Sequence, residues 1–163
     1  MTEMDKDSYY VGIGEMKVTH NPHQLIIMGL GSCIGLALYD RNAKVGGMAH
    51  IMLPESAGRC SSERNCKFAD RAVPILVDEM LQHNAAKSRI VAKLAGGASL
   101  FTTMDTLRIG EKNAEMVKEK LRQEGIKVVA EDTGGNYART IKLDTCTGRL
   151  SVKTKDGVRV IVI

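Results

Sequence analysis

Two periods of apolar residues run along the chain, and they predict its elements. Between Tyr10 and Val18 the positions Val11, Ile13, Met16 and Val18 predict a first strand. His20-Asn21-Pro22-His23 then predicts a turn. Short apolar runs follow at Gln24 to Met28, which stops at Gly29-Leu30-Gly31-Ser32, and at Cys33 to Tyr39, which closes at Asp40-Arg41-Asn42. A fourth run, Lys44 to Leu53, ends at Pro54. Four such runs in succession predict a meander or a mixed sheet rather than strictly alternating βαβ units.

The period changes at Phe68. Phe68, Ala72, Leu76 and Met80 recur every fourth residue with Val73, Val77 and Leu81 beside them, which predicts a helix with Asn65 as its N-cap. Pro74 falls inside that pattern and should kink the helix or mark a boundary. Arg89 to Leu94 predicts a strand running into Gly96-Gly97. A second helix is expected over Glu111 to Glu124, with Ala114, Val117 and Leu121 on one face and Gly125 as its C-cap. Strands at Ile126 to Ala130, Thr140 to Leu143, Leu150 to Lys153 and Val158 to Ile163 complete the chain, with turns at Thr147-Gly148 and Asp156-Gly157. The sum is a layered α/β (α+β) domain: two principal helices against mixed or antiparallel sheets.

Length and composition narrow the class. A chain of 163 residues is ordinary for one domain, residues 1–163. With 44% hydrophobic and 26% charged residues it is neither disordered nor membrane-embedded. No window approaches the roughly 18 apolar residues of a membrane span, and the acidic start Met1-Thr2-Glu3-Met4-Asp5-Lys6-Asp7 is unlike a signal peptide. A cytoplasmic protein without membrane insertion is expected.

The formal net charge is +4, and the segment Arg139 to Ile163 alone carries it, with six cations against two anions. Such a region either steers an acidic partner or solvates one face of a sheet. Nucleic acid is not an expected partner, because there is no Trp and no aromatic residue interleaved with the basic ones to stack on bases. The four cysteines, Cys33, Cys60, Cys66 and Cys146, form no C-x-x-C, and His20 and His23 lack further ligands nearby, so no metal and no cofactor are expected.

The unusual chemistry is at Gly29-Leu30-Gly31-Ser32-Cys33-Ile34-Gly35 and Gly46-Gly47-Met48-Ala49-His50. Glycines here let the backbone bring peptide N–H groups close to a bound atom, and a cysteine just after such a turn can sit beside an oxyanion hole built from the N–H groups near Ser32 and Cys33. Cys33 and His50 are joined by one turn, so adjacent strands of a hairpin can pair them. A Cys–His pair is the minimum for thiolate catalysis, and the turn and His50 would favour the thiolate form. A free cysteine in an apolar run is also a common small core residue, and a lone histidine a satisfied core one. Spacing alone leaves both readings open.

Six segments, taken together, resemble one family. Leu30-Gly31-Ser32-Cys33-Ile34-Gly35, Gly47-Met48-Ala49-His50-Ile51-Met52-Leu53-Pro54, Lys67-Phe68-Ala69-Asp70, Lys93-Leu94-Ala95-Gly96-Gly97-Ala98, Ile109-Gly110-Glu111-Lys112-Asn113 and Glu131-Asp132-Thr133-Gly134-Gly135 are similar to CheD, the chemoreceptor glutamine deamidases. They occur in order, between about Val11 and Lys153.

That resemblance implies a Cys–His amidohydrolase acting on glutamine side chains of methyl-accepting chemotaxis receptors, with Cys33 as nucleophile and His50 as general base. It also implies a layered fold shared with cysteine-dependent deamidase toxins. A regulatory alternative comes with it, in which the chain binds and stimulates the chemotaxis phosphatase CheC. The family normally orients its histidine with a hydroxyl in the strand before the glycine turn, but Ile27 stands at that place, six residues before Cys33. Thr19, Gln24 or a backbone carbonyl would have to substitute.

Overall fold

The computed structural model describes residues 7–56, 67–99, 108–154 and 157–161. Among the described residues, ten strands fall into two mixed sheets. The first holds β1 (Ser8–Tyr10), β3 (Gln24–Leu30), β8 (Arg139–Asp144), β9 (Leu150–Thr154) and β10 (Gly157–Ile161), in the order β1-β3-β8-β9-β10. The second holds β2 (Met16–His20), β4 (Ile34–Asp40), β5 (Val45–Ile51), β6 (Ile90–Gly96) and β7 (Lys127–Thr133), in the order β2-β5-β4-β6-β7. Only β1–β3 and β6–β7 pair in parallel among these strands.

Helices α1 (Ala69–Gln82) and α2 (Ile109–Glu124) cover one face of the second sheet, where Leu36, Leu38, Ala49 and Ile51 pack against Leu76, Val77, Met80, Val117 and Leu121. Its other face packs on the first sheet, where Ala37, Met48 and Ala95 meet Leu25, Ile27, Leu30, Ile141 and Leu143. The result is three layers: helices, sheet, sheet. All seven residues of β4 and of β5 are therefore buried, which is why these strands read as continuous apolar runs instead of alternating ones.

Three expectations need correction. Residues 10–18 do not form one strand. The chain leaves β1 at Tyr10, turns at Gly14 (φ +77°) and re-enters as β2 in the other sheet. Gly12 and Gly14, four and two residues before β2, break the alternation. Pro74 neither kinks α1 into two elements nor ends it. Losing one helical hydrogen bond costs roughly 3 kcal/mol, and the burial of Val73, Leu76, Val77 and Met80 on either side of it outweighs that. The N-cap of α1 is Phe68, without a side-chain cap, and Asn65 lies outside the described residues. Cys60, Cys66 and Asp156 lie outside them as well. Gly125 does cap α2, at φ +74° with its N–H on the Arg122 and Leu121 carbonyls.

Candidate active site

Residues 31–33 form a bend between β3 and β4, and three neighbours hold its carbonyls. Ala98 N–H donates to the Gly31 oxygen at 2.9 Å and Gly97 N–H to the Cys33 oxygen at 2.9 Å. The Asn113 side-chain amide donates to the Ser32 oxygen at 3.0 Å. These contacts depend on close backbone approach. At Gly96 (φ +108°) a Cβ would collide with the Cys33 carbonyl oxygen, and at Gly110, in the first turn of α2, with the Gly97 carbonyl.

In a trans peptide the N–H points away from the preceding carbonyl. With the Gly31 and Ser32 carbonyls drawn into the protein, the N–H groups of Ser32 and Cys33 therefore point out of the bend. Among the described residues neither N–H donates a hydrogen bond.

The register sets the second group. Gly35 pairs with His50 across the β4–β5 ladder, and Cys33 stands two residues before Gly35. Met48 and Cys33 both pack in the cluster between the sheets, so His50, two residues after Met48, shares that face with Cys33. Continued one residue past Ile34, that register would set Cys33 diagonally across from His50, a spacing of roughly 7–8 Å in paired strands. Gly35 leaves the space opposite His50 to Leu30, Ile27 and Ile141, and a Cβ there would lie 2.5 Å from Ile141.

His50 is 5% exposed, and its Nδ1 bonds the Val11 carbonyl oxygen at 3.2 Å. Its own backbone is held by the same segment: Gly14 N–H donates to the His50 oxygen and His50 N–H to the Glu15 oxygen. A carbonyl only accepts, so Nδ1 carries the proton and Nε2 is the basic nitrogen. The backbone carbonyl orients the histidine here. Ile27 is fully buried, Thr19 bonds His23 Nδ1 at 2.6 Å, and Gln24 lies at the far end of β3 from Leu30.

Burial pushes the Cys33 thiol up and the His50 imidazole down, the latter against the opposing pull of the Val11 carbonyl and Glu15. Each shift favours the neutral form of its group. Desolvation between the two sheets thus acts against the thiolate that the glycine turn and His50 are expected to favour.

Two residues escaped the sequence reading. Asn113 is fully buried and donates to both the Ser32 oxygen and the Met52 oxygen, the latter at 2.9 Å. Arg139 is 1% exposed and donates to the Gly96 and Gly134 carbonyls, with Asp132 3.5 Å from its Nε and Tyr137 against its guanidinium. One of the six C-terminal cations is thus part of the scaffold behind the bend, not a surface charge. Its only signal was an arginine just after a Gly-Gly turn. His20 and His23 stack at 5.0 Å between ring centroids, and no group of three metal-ligating side chains occurs among the described residues. No helix among them is long and apolar enough to cross a membrane.

Comparison with known proteins shows the family, through a profile match that begins after Cys33 and His50. The profile of the family described as CheD chemotactic sensory transduction matches residues 52–154. A probable chemoreceptor glutamine deamidase CheD of Caldanaerobacter subterraneus is 47% identical over 93% of this chain and 95% of its own. Proteins of the same description from Desulforamulus reducens and Clostridium novyi are 45% and 44% identical, over 88% and 97% of this chain and 89% and 100% of theirs. A crystal structure of the Bacillus licheniformis hypothetical protein YfiH superposes with a TM-score of 0.48 at 15% identity, over 72% of this chain and 49% of that one.

Proposed function

The chain belongs to the CheD family, and from that premise we propose that it is a chemoreceptor glutamine deamidase with Cys33 as nucleophile and His50 as general base. The pairing of Gly35, two residues after Cys33, with His50, and the bond of His50 Nδ1 to the Val11 carbonyl, support the assignment.

In this reading His50 Nε2 takes the Cys33 thiol proton as the sulfur attacks the carboxamide carbon of a receptor glutamine. The outward N–H groups of Ser32 and Cys33 hold the oxyanion. The imidazolium then protonates the amide nitrogen, the C–N bond breaks and ammonia leaves, with a thioester remaining on Cys33. Water gives a proton to His50 and attacks the thioester. The C–S bond breaks, the sulfur recovers its proton, and the receptor side chain is now glutamate.

Shifts that favour the neutral forms suit this sequence, since the proton moves only when the amide is in place. Tyr10, Ile13, Met28 and Met52 are exposed beside these segments, giving apolar purchase to a helical receptor surface. Binding energy from that surface positions an amide that free glutamine could not. Receptor signalling regions put the work in the cytoplasm.

The test is ammonia release from a receptor fragment. Native protein should release ammonia, and His50→Ala should do so about 10²–10⁴-fold more slowly while remaining folded. Equal rates would remove His50 from the reaction. The regulatory alternative, stimulation of CheC, is separated by Cys33→Ala, which ends deamidation and leaves CheC binding intact.

A further inference from the structure

Asn113 is the fifth residue of α2, in the helix layer beside the nucleophile bend, and is wholly buried. Its amide nitrogen donates to two backbone oxygens at once, Ser32 at 3.0 Å and Met52 at 2.9 Å. Both acceptors are carbonyls, so the amide can only present its NH₂ to them. Ser32 precedes the nucleophile and Met52 lies two residues after His50. One side chain therefore ties the two halves of the candidate centre together. Gly97 and Gly110 make this possible by letting α2 approach the bend more closely than any side chain would allow.

We infer that Asn113 is a positioning residue for the reaction proposed above: its grip on the Ser32 carbonyl turns the Cys33 N–H outward as an oxyanion donor. The inference rests on the deamidase reading. The peptide between Ser32 and Cys33 is trans, so fixing its oxygen inward fixes its N–H outward. Ala98 fixes the preceding peptide in the same sense, but only Asn113 reaches the Ser32 oxygen among the described residues.

A second observation separates positioning from packing. Asn113 Oδ1 is buried and, among the described residues, has no hydrogen-bond partner. Leucine would fill the same space and satisfy the packing without any donor. Asparagine is of use here for its two N–H groups.

The experiment compares native protein with Asn113→Leu, which keeps the shape and removes the donors, and Asn113→Ala. Deamidation kcat and KM are measured on a receptor fragment, the rate of Cys33 alkylation by iodoacetamide at pH 9, and the melting temperature. Alkylation passes through no oxyanion, so it reports the thiol and not the bend's N–H groups. The expected result is a kcat lowered about 10- to 100-fold, with KM and alkylation within about threefold of native. Unchanged kcat in a folded variant overturns the inference. So does a parallel fall in alkylation, which would make Asn113 act on the thiol, and so does failure of both variants to fold, which would make it structural. Native protein that leaves every receptor glutamine intact overturns this inference together with the deamidase reading. Native turnover with unimpaired variants overturns this inference alone.

Discussion

The Val11 carbonyl oxygen accepts the hydrogen bond of His50 Nδ1 at 3.2 Å, so a backbone atom from the β1–β2 crossing selects the tautomer of the candidate base. Burial lowers the His50 pKa, and the Val11 carbonyl and Glu15 only partly oppose it. A base must be neutral to act, so activity is lost as pH falls through the lowered pKa and not before. The acid limb of kcat/KM should therefore lie below the ordinary histidine value of about 6.5. A limb at or above that value would contradict the desolvated site.

Cys33 is half-buried and its thiol is raised by desolvation. Only the thiolate is nucleophilic. Alkylation of Cys33 by iodoacetamide should thus be slow at pH 7, with its midpoint above the roughly pH 8.5 of an ordinary cysteine. Peptide mapping against the exposed Cys146 supplies the internal reference. A plateau for Cys33 already near neutral pH would indicate a standing thiolate–imidazolium pair.

Gly96 stands against the Cys33 carbonyl at φ +108°, where a side chain meets both a strained backbone and that oxygen. Gly96→Ala should destabilise the protein by roughly 2–3 kcal/mol and lower its melting temperature by roughly 5–10 °C. The same substitution should depress deamidation in the fraction that stays folded, because the bend must move. Calorimetry with an activity assay checks both, and a variant with native melting temperature would refute the close approach.

These features differ in how far the chain discloses them. Gly125 could be read as a C-cap because only glycine suits the left-handed turn it takes. Cys33 and His50 stood out because a nucleophile and a base occur among glycines in otherwise apolar runs. Val11 did not, since a carbonyl that serves as acceptor belongs to every residue and leaves no mark in the sequence. Arg139 counted as surface charge until the register of β8 beside β3 placed it opposite Leu30, under the bend. The false strand over residues 10–18 shows the limit of periodicity: the apolar positions shift phase from Val11 and Ile13 to Met16 and Val18 across Gly14, where the chain changes sheet.

Far from the site, Asp40 ends β4 fully buried. It accepts from Arg89 at 3.0 Å and from the N–H groups of Ala86, Asn42 and Ala43. Burial works to raise its pKa, but the Arg89 bond and those N–H groups outweigh it and hold the carboxyl below its usual range. A depressed carboxylate stabilises above its unfolded value of about 3.9 and loses that contribution as pH falls through the folded one. Arg89→Ala should cost roughly 1–2 kcal/mol at pH 7, the half-exposed guanidinium being partly screened, and the difference should shrink as Asp40 protonates. Urea unfolding at pH 7 and pH 3 tests this; equal differences at the two would exclude an ionic contribution.

The account turns on Cys33 as the atom that attacks a receptor glutamine. Its most direct test is the intact mass of a receptor fragment after incubation with native protein and with Cys33→Ala. Native protein should raise the mass by about one dalton per site, as an amide becomes an acid, and Cys33→Ala should leave it unchanged while melting at the native temperature. An unchanged mass with native protein, or the same gain with Cys33→Ala, would contradict it.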